Sequence, residues 1–225
     1  MRGKGRSGGR GTILRRALLP LLLSLPVPAY AAPPDPVVAR WQGTDGPDTA
    51  SMLELTADGH FRYALSEGAL DEGAKGRWHR EGATVRLYTE PVPTPPRFIV
   101  KSMENADKGP LTLFVGGPDG RGVAGVEFRV EFDSGDPVEA YTQYDGWTGD
   151  PADRRPPRWV QLHEPVYDIT SDRMPIPGGA RTLRFTLEPH DLGIVNFRGT
   201  EVVVDGNSLT LRDGRGERHY SRATP

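Results

Sequence analysis

The sequence predicts an all-β protein: a small barrel or curved antiparallel sheet that carries an inserted β-sandwich. Two observations lead to this fold class. Apolar and polar residues alternate over many short segments, which is the two-residue period of half-buried strands. Turn residues separate these segments, and with 28 Gly and 22 Pro among 225 residues no long stretch shows the 3.6-residue apolar spacing of a helix.

The first third of the chain predicts two hairpins, because alternating segments flank short turns there. The segments and turns are 53–55, Asp58-Gly59 and 61–65, then 78–80, Glu81-Gly82 and 85–87. A proline run at 91–96 follows, and it predicts a connector or covered edge because proline lacks the donor that a central strand needs. Phe98 and Val100 mark a further strand after it.

The clearest alternation covers residues 126–132, where four apolar side chains are separated by Glu127, Arg129 and Glu131. A slip of one residue would bury these three charges, so the register of this strand is strongly specified. The remaining predicted strands are 111–115, 159–162, 183–187, 194–197, 202–204 and 209–211.

The first and last predicted strands share one pattern, in which short alternating segments are joined by Gly-containing turns. This suggests that they form a single unit. We therefore predict a discontinuous barrel or sheet from residues 37–108 and 191–222, with residues 109–190 as the inserted sandwich. Insertion into a loop costs little when the two ends lie close together. Two β domains in simple succession are the alternative.

The amino-terminal residues 1–31 predict a signal peptide. A basic leader precedes an apolar run from Ala17 to Val27, and Ala29 and Ala31 match a small-residue cleavage site. The run is too short for the roughly 20 residues that span a bilayer, which disfavours the alternative of a membrane anchor. Export to the periplasm or the medium is expected. Arg15-Arg16 leaves both the general and the twin-arginine route open.

Charge and cysteine content exclude several functions. Beyond residue 31 the chain carries 22 basic and 30 acidic residues, and no basic stripe dominates. Nucleic acids and anionic membrane surfaces are therefore not expected partners. Zero Cys excludes disulfides, thiol nucleophiles and thiolate metal sites.

The order of turns and strands in the sequence resembles that of two known kinds of domain. Segments 53–63, 76–87 and 207–214 resemble small lipocalin-like barrels of bacterial envelope proteins, such as the copper-resistance lipoprotein family, although this chain lacks the lipid-bearing Cys. Residues 119–146 are similar to immunoglobulin- or transthyretin-like and carboxypeptidase-regulatory-like sandwiches. The second resemblance implies a non-catalytic supporting module, and no site is carried over from either family.

A search for chemistry finds no catalytic or metal-binding motif. The five His are scattered without ligand spacing, so no metal or cofactor is expected. Asp145, Asp150 and Asp153 do not match an EF-hand and are expected to make local turn hydrogen bonds. An acidic cluster of Glu67, Asp71 and Glu72 leaves open a carboxylate pair for glycoside hydrolysis.

The segment from residue 141 to 159 is the candidate ligand-binding site, because aromatic and arginine side chains on ordered loops are enriched at binding surfaces. Its members are Tyr141, Tyr144, Trp147, Arg154, Arg155, Arg158 and Trp159. The alternative is that Trp147 and Trp159 belong to the core.

These features predict an exported, non-catalytic binding module of the bacterial envelope, with an unknown protein, peptide or saccharide as partner. One alternative is an envelope carbohydrate hydrolase that uses the acidic loop. Another is a lipocalin-like carrier of a small apolar ligand.

Overall fold

Seventeen strands and no helix make up the part of the chain that the computed structural model describes, which is residues 35–106 and 109–224 with Met1, Gly3, Gly5 and Gly8. The predicted signal peptide lies almost entirely outside these residues. The predicted all-β fold class is confirmed, because an eight-stranded antiparallel barrel is interrupted in the chain by two inserted sheets. The described residues also contain no helix long and apolar enough to cross a membrane.

The barrel strands come from both ends of the described chain. They are β1 (Ala39–Gly43), β2 (Thr49–Leu55), β3 (His60–Glu67), β4 (Leu70–Glu81), β5 (Thr84–Thr89), β15 (Arg198–Asp205), β16 (Ser208–Asp213) and β17 (Gly216–Arg222). Their order around the barrel is β1-β17-β16-β15-β5-β4-β3-β2, and each neighbouring pair is antiparallel. The hairpins predicted at Asp58-Gly59 and Glu81-Gly82 are β2–β3 and β4–β5.

The inserted strands form two sheets. They are β6 (Arg97–Asn105), β7 (Thr112–Gly116), β8 (Glu127–Phe132), β9 (Val138–Tyr141), β10 (Trp147–Thr148), β11 (Pro157–Glu164), β12 (Ile169–Thr170), β13 (Met174–Pro175) and β14 (Ala180–Glu188). The four-stranded sheet has the order β10-β7-β14-β6, in which β7 and β14 are parallel. The five-stranded sheet has the order β12-β11-β8-β9, with β13 also paired to β11.

The alternation of inward and outward side chains gives the barrel one hydrophobic core and the two inserted sheets another. Inward side chains of every barrel strand meet in one cluster that contains Trp41, Phe61 and Trp78. The two inserted sheets share a second cluster, in which Val115 and Phe185 of one sheet and Val130 and Leu162 of the other are buried. The register of β8 is as predicted, since Phe128 and Val130 point inward and Glu127 and Arg129 outward.

Two sequence predictions are wrong at the boundaries of the insertion. Strand β6 was assigned to the barrel segment 37–108, but it pairs along its length with β14 because the proline run separates it from β5. A strand was predicted at residues 194–197, yet only Ile194 forms an isolated bridge, to Gly73. The segment instead turns Phe197 into the barrel, where its ring lies 5.1 Å from Tyr63 and 5.9 Å from Phe61.

Hydrogen bonds hold together the two points where the insertion leaves and rejoins the barrel. The buried hydroxyl of Thr89 donates to Val195 O at 2.8 Å and accepts from Phe197 N at 2.9 Å. Asp191 accepts from Thr94 N at 2.8 Å and its own N donates to Thr94 O at 3.1 Å. The ends of the insertion are therefore adjacent, as loop insertion requires.

Gly76 of β4 provides a test of the barrel packing. A Cβ at this position would lie 2.0 Å from Tyr88 O and 2.7 Å from Glu90 N, which are backbone atoms that cannot move without disrupting β5. We expect Gly76→Ala to reduce the free energy of unfolding by about 1–3 kcal/mol in chemical denaturation. Gly214→Ala is the control, because a Cβ there meets nothing within 4 Å. Equal stability of the two variants would contradict the described packing.

Candidate functional site

The structure separates the seven residues of the predicted binding segment into three environments. Trp147 packs into the sandwich core, with its ring edge-on to Phe128 at 5.0 Å. Arg154, Arg155 and Arg158 lie in or beside the loop that precedes β11. Tyr141, Tyr144 and Trp159 are exposed to solvent. The sequence segment is therefore not one contiguous surface.

All three arginines have structural partners. Arg154 Nη1 donates to Gly109 O at 3.4 Å, and the other two form ion pairs. The Arg155 guanidinium binds the Asp153 carboxylate, with Nη2 to Oδ2 at 2.8 Å, donates to Asp136 O at 2.7 Å and stacks on the Phe132 ring at 4.2 Å. Arg158 forms an ion pair with Asp133. These contacts fix the loop, although the Arg158 side chain stays 54% exposed.

Asp150 and Asp153 behave as the turn residues that the sequence suggested. Asp150 accepts from Ala152 N at 2.7 Å and Asp153 from Arg155 N at 3.0 Å. Hydrogen bonding, most of all from Arg155, lowers the pKa of Asp153.

Arg181 of β14 holds the same loop and was not singled out in the sequence. It is almost fully buried and donates to three carbonyl oxygens: Gly109 at 2.9 Å, Asp153 at 2.6 Å and Arg155 at 3.3 Å. Because a buried guanidinium needs such acceptors, this side chain orders the approach to β11. A charged residue among the apolar residues that open β14 was the available signal.

The outer face of the five-stranded sheet is the surface that brings predicted residues together. We define it by the outward side chains of β8, β9 and β11 with their neighbours: Glu127, Arg129, Glu131, Glu139, Tyr141, Trp159, Gln161, His163, Asp168 and Thr170. The strand registers place Tyr141, Glu127 and His163 in one row and Glu131 and Trp159 in another. Tyr141 is 60% exposed and Trp159 is 37% exposed, so both aromatic rings are accessible.

A depression of about 710 Å³ lies on this outer face, and its lining includes Tyr141, Glu139, Gln161, His163 and Thr170. Trp159 lies on the same face but outside the lining of the depression, and its ring is covered on one side by the Arg173 guanidinium, 4.9 Å from the ring centre. Ion pairs of Arg129 with Glu131 of the same strand and with Glu139 of β9 occupy the middle of the face. The face thus offers aromatic rings with hydrogen-bonding groups between them.

His163 is the titratable group at the floor of this depression. Its Nδ1 lies 3.1 Å from Glu127 Oε2, and its Nε2 lies 3.2 Å from Asp168 Oδ1. Hydrogen bonding to Glu127 is the main cause that raises the pKa of His163, and Asp168 adds to it against the effect of partial burial. An imidazole between two carboxylates favours its protonated form.

The acidic cluster proposed for hydrolysis is divided between the two sides of the barrel wall. Asp71 and Glu72 are adjacent in β4, so their side chains point to opposite faces. Glu72 points inward and accepts two hydrogen bonds from Arg215, at 2.7 and 2.6 Å, while Glu67 lies 3.6 Å from Arg218. Within the described residues, no group of three or more His, Asp and Glu side chains is arranged to hold a metal ion.

The environment of His163 predicts a pH dependence of stability. Because the folded-state pKa is raised above the unfolded value of about 6.5, the stabilisation is fully present below that value and is lost as the pH rises through the folded pKa. We expect the difference in free energy of unfolding between the protein and His163→Gln to be larger at pH 5.5 than at pH 8.5. Glu127→Gln should reduce this pH dependence. A difference that is constant across the range would contradict the arrangement.

No family model, curated protein or solved structure matches this chain.

Proposed function

We propose that the chain is an exported, non-catalytic binding module of a bacterial cell envelope, and that the outer face of the five-stranded sheet binds its ligand. One observation carries this proposal: Tyr141 and Trp159, both predicted binding residues, are exposed on the same sheet face, and Tyr141 lines a depression of about 710 Å³ there. Exposed aromatic residues on a rigid face are typical of recognition surfaces.

A saccharide fits this face better than an apolar peptide. A pyranose ring presents an apolar side of C–H groups, which packs on aromatic rings, and hydroxyl groups at its edge. Between the two rings the sheet offers carboxylates at Glu127 and Glu139 and an amide at Gln161, which accept or donate hydrogen bonds to hydroxyls. A protein or peptide ligand is an outcome that the binding assay separates.

The barrel then serves as the support of this module. The order of turns and strands in its sequence is similar to that of lipocalin-like envelope proteins. The order in the insertion is similar to that of transthyretin-like supporting sandwiches. The apolar-carrier alternative is disfavoured because large side chains, among them Trp41, Phe61 and Phe197, fill the barrel interior. The hydrolase alternative is disfavoured because Glu72 is bound by Arg215 and Asp71 faces away from it.

Replacement of the exposed rings tests the binding proposal. We expect Tyr141→Ala and Trp159→Ala each to weaken binding of a cell-wall oligosaccharide by about tenfold, since loss of one aromatic contact of about 0.5–1.5 kcal/mol adds to the loss of buried area. Glycan arrays followed by titration calorimetry measure this. Tyr88→Ala is the control, because Tyr88 is 39% exposed on the barrel, away from this face. Binding that is equally weakened by Tyr88→Ala, or that is restricted to peptides, would contradict a saccharide site.

The export part of the proposal has its own test. Mass spectrometry of the protein from its native host should show a mature chain that begins at Ala32, after cleavage at Ala31. Ala31→Arg should block processing and leave the longer chain with the membrane fraction. A mature protein that retains residues 1–31 in the cytoplasm would contradict export.

A further inference from the structure

One end of the barrel interior is polar, in contrast to the rest of its core. The side chains of Ser51, Tyr63, Arg218 and Tyr220 point inward there, from β2, β3 and β17. Strand pairing brings them together around the barrel wall, since β3 pairs with β2 and β2 with β1, which in turn pairs with β17. We call these four residues the polar end.

All four side chains carry a buried polar atom that has no hydrogen-bond partner outside this set among the described residues, and within the set Ser51 hydrogen-bonds to Tyr220. The atoms are Ser51 Oγ, Tyr63 Oη, Arg218 Nε and Tyr220 Oη. Ser51 is 8% exposed, Tyr63 3% and Tyr220 1%, so bulk solvent does not reach these hydroxyls. Buried polar groups in native proteins are nearly always hydrogen-bonded, so the unpartnered Tyr63 Oη and Arg218 Nε at this end of the barrel need an explanation.

Each of the four side chains at the polar end can donate a hydrogen bond. Burial is the main cause that raises the pKa of both tyrosines, well above the usual range for Tyr63 and to about 12 for Tyr220. Both hydroxyls therefore keep their protons at physiological pH. With the Ser51 hydroxyl and the Arg218 Nε–H, four donors are available, and Arg218 adds a positive charge whose partner Glu67 lies 3.6 Å away and is half exposed.

An ion pair lies beside the polar end. Arg215 binds Glu72 through two hydrogen bonds, and the Glu72 side chain is only 10% exposed. The charges of Glu72, Arg215 and Arg218 all act on the Tyr63 hydroxyl, which places the pair next to the donor set. Because Arg215 neutralises Glu72, this carboxylate does not repel an anion as a free one would.

A groove of about 1020 Å³ on the outside of the barrel starts at the same end. Its lining includes Ser51 and Glu72 together with Gly43, Gly46 and Thr49 of the β1–β2 connection. It continues along Met52, Ala64 and Ile194, which are apolar. Tyr63, Arg218 and Tyr220 do not line this groove, because they point to the inner side of the barrel wall.

We propose that the polar end of the barrel binds one carboxylate group of a small organic acid, which accepts hydrogen bonds from Ser51, Tyr63, Tyr220 and Arg218. The carboxylate supplies two acceptor oxygens with about four lone-pair sites, which equals the number of donors. This site is separate from the sheet face to which the proposed function is assigned, so either proposal can fail without the other.

Thermal unfolding and titration calorimetry of the purified protein with sodium acetate test the proposal. Acetate should raise the Tm in a saturable manner, because a ligand that binds only the folded state stabilises it. Acetamide, which has the same shape without the charge, and sodium chloride at equal ionic strength should not.

The double variant Tyr63→Phe/Tyr220→Phe removes two donors and keeps the ring packing. It should weaken acetate binding by at least about tenfold, which corresponds to two hydrogen bonds. Its own Tm should be close to that of the unmodified protein, because Tyr63 Oη has no protein partner to lose and Tyr220 Oη loses only Ser51. Tyr88→Phe, which removes an exposed hydroxyl, should bind acetate normally, and Ser51→Ala serves as a second variant if the double variant does not fold.

Three results would overturn the proposal. The first is a Tm that responds to acetate and to chloride alike. The second is a double variant that still binds acetate with unchanged affinity. The third is a pair of observations: a crystal of the acetate-saturated protein has only water among the three hydroxyls, and the double variant is less stable than the unmodified protein. Together they would mean that the cluster is a hydration site.

Discussion

The pairing of β5 with β15 is the interaction on which the rest of the structure depends. These strands come from opposite sides of the insertion, and their register from Tyr88 and Arg198 to Thr84 and Val203 closes the barrel. Without it, the eight strands would form one open sheet, still joined through β1 and β17, with unpaired edges at β5 and β15. The Thr89 hydroxyl reinforces the closure by bonding both Val195 and Phe197. The inserted sandwich is thereby held at both ends by a closed and fully packed support.

This arrangement separates two kinds of surface. On the sandwich, most charged side chains are bound to each other, as Arg129 is to Glu139 and Arg158 to Asp133. Exposed ion pairs of this kind contribute only about 0–1 kcal/mol each, so they explain order and solubility better than affinity. The rings of Tyr141 and Trp159 are both exposed on this face, and Trp159 is covered on one side by Arg173. These two rings are the observation on which the proposed ligand-binding face rests.

The barrel interior shows the opposite case, in which polar groups are buried without partners. An unsatisfied buried donor costs about 1–3 kcal/mol, and a protein of ordinary stability does not retain several of them at one place without compensation. The apolar part of the same interior, around Trp41 and Phe61, has no comparable defect. A filled barrel with one donor-rich end is therefore different from a carrier with a large apolar cavity, and it suits a small polar group rather than a lipid.

The sequence by itself determined the all-β class, the hairpins at Asp58-Gly59 and Glu81-Gly82, the face of β8 that is buried and the insertion of one β unit into another, because alternation and turn chemistry are local properties of the chain. It could not determine which sheet β6 joins, since strand pairing depends on a partner far away in sequence. For the same reason Trp147 and Trp159, only 12 positions apart, looked alike in the sequence, yet the first is packed against Phe128 and the second faces solvent. The polar end was hidden entirely, because Ser51, Tyr63 and Tyr220 become neighbours only when the last strand of the barrel pairs with the first.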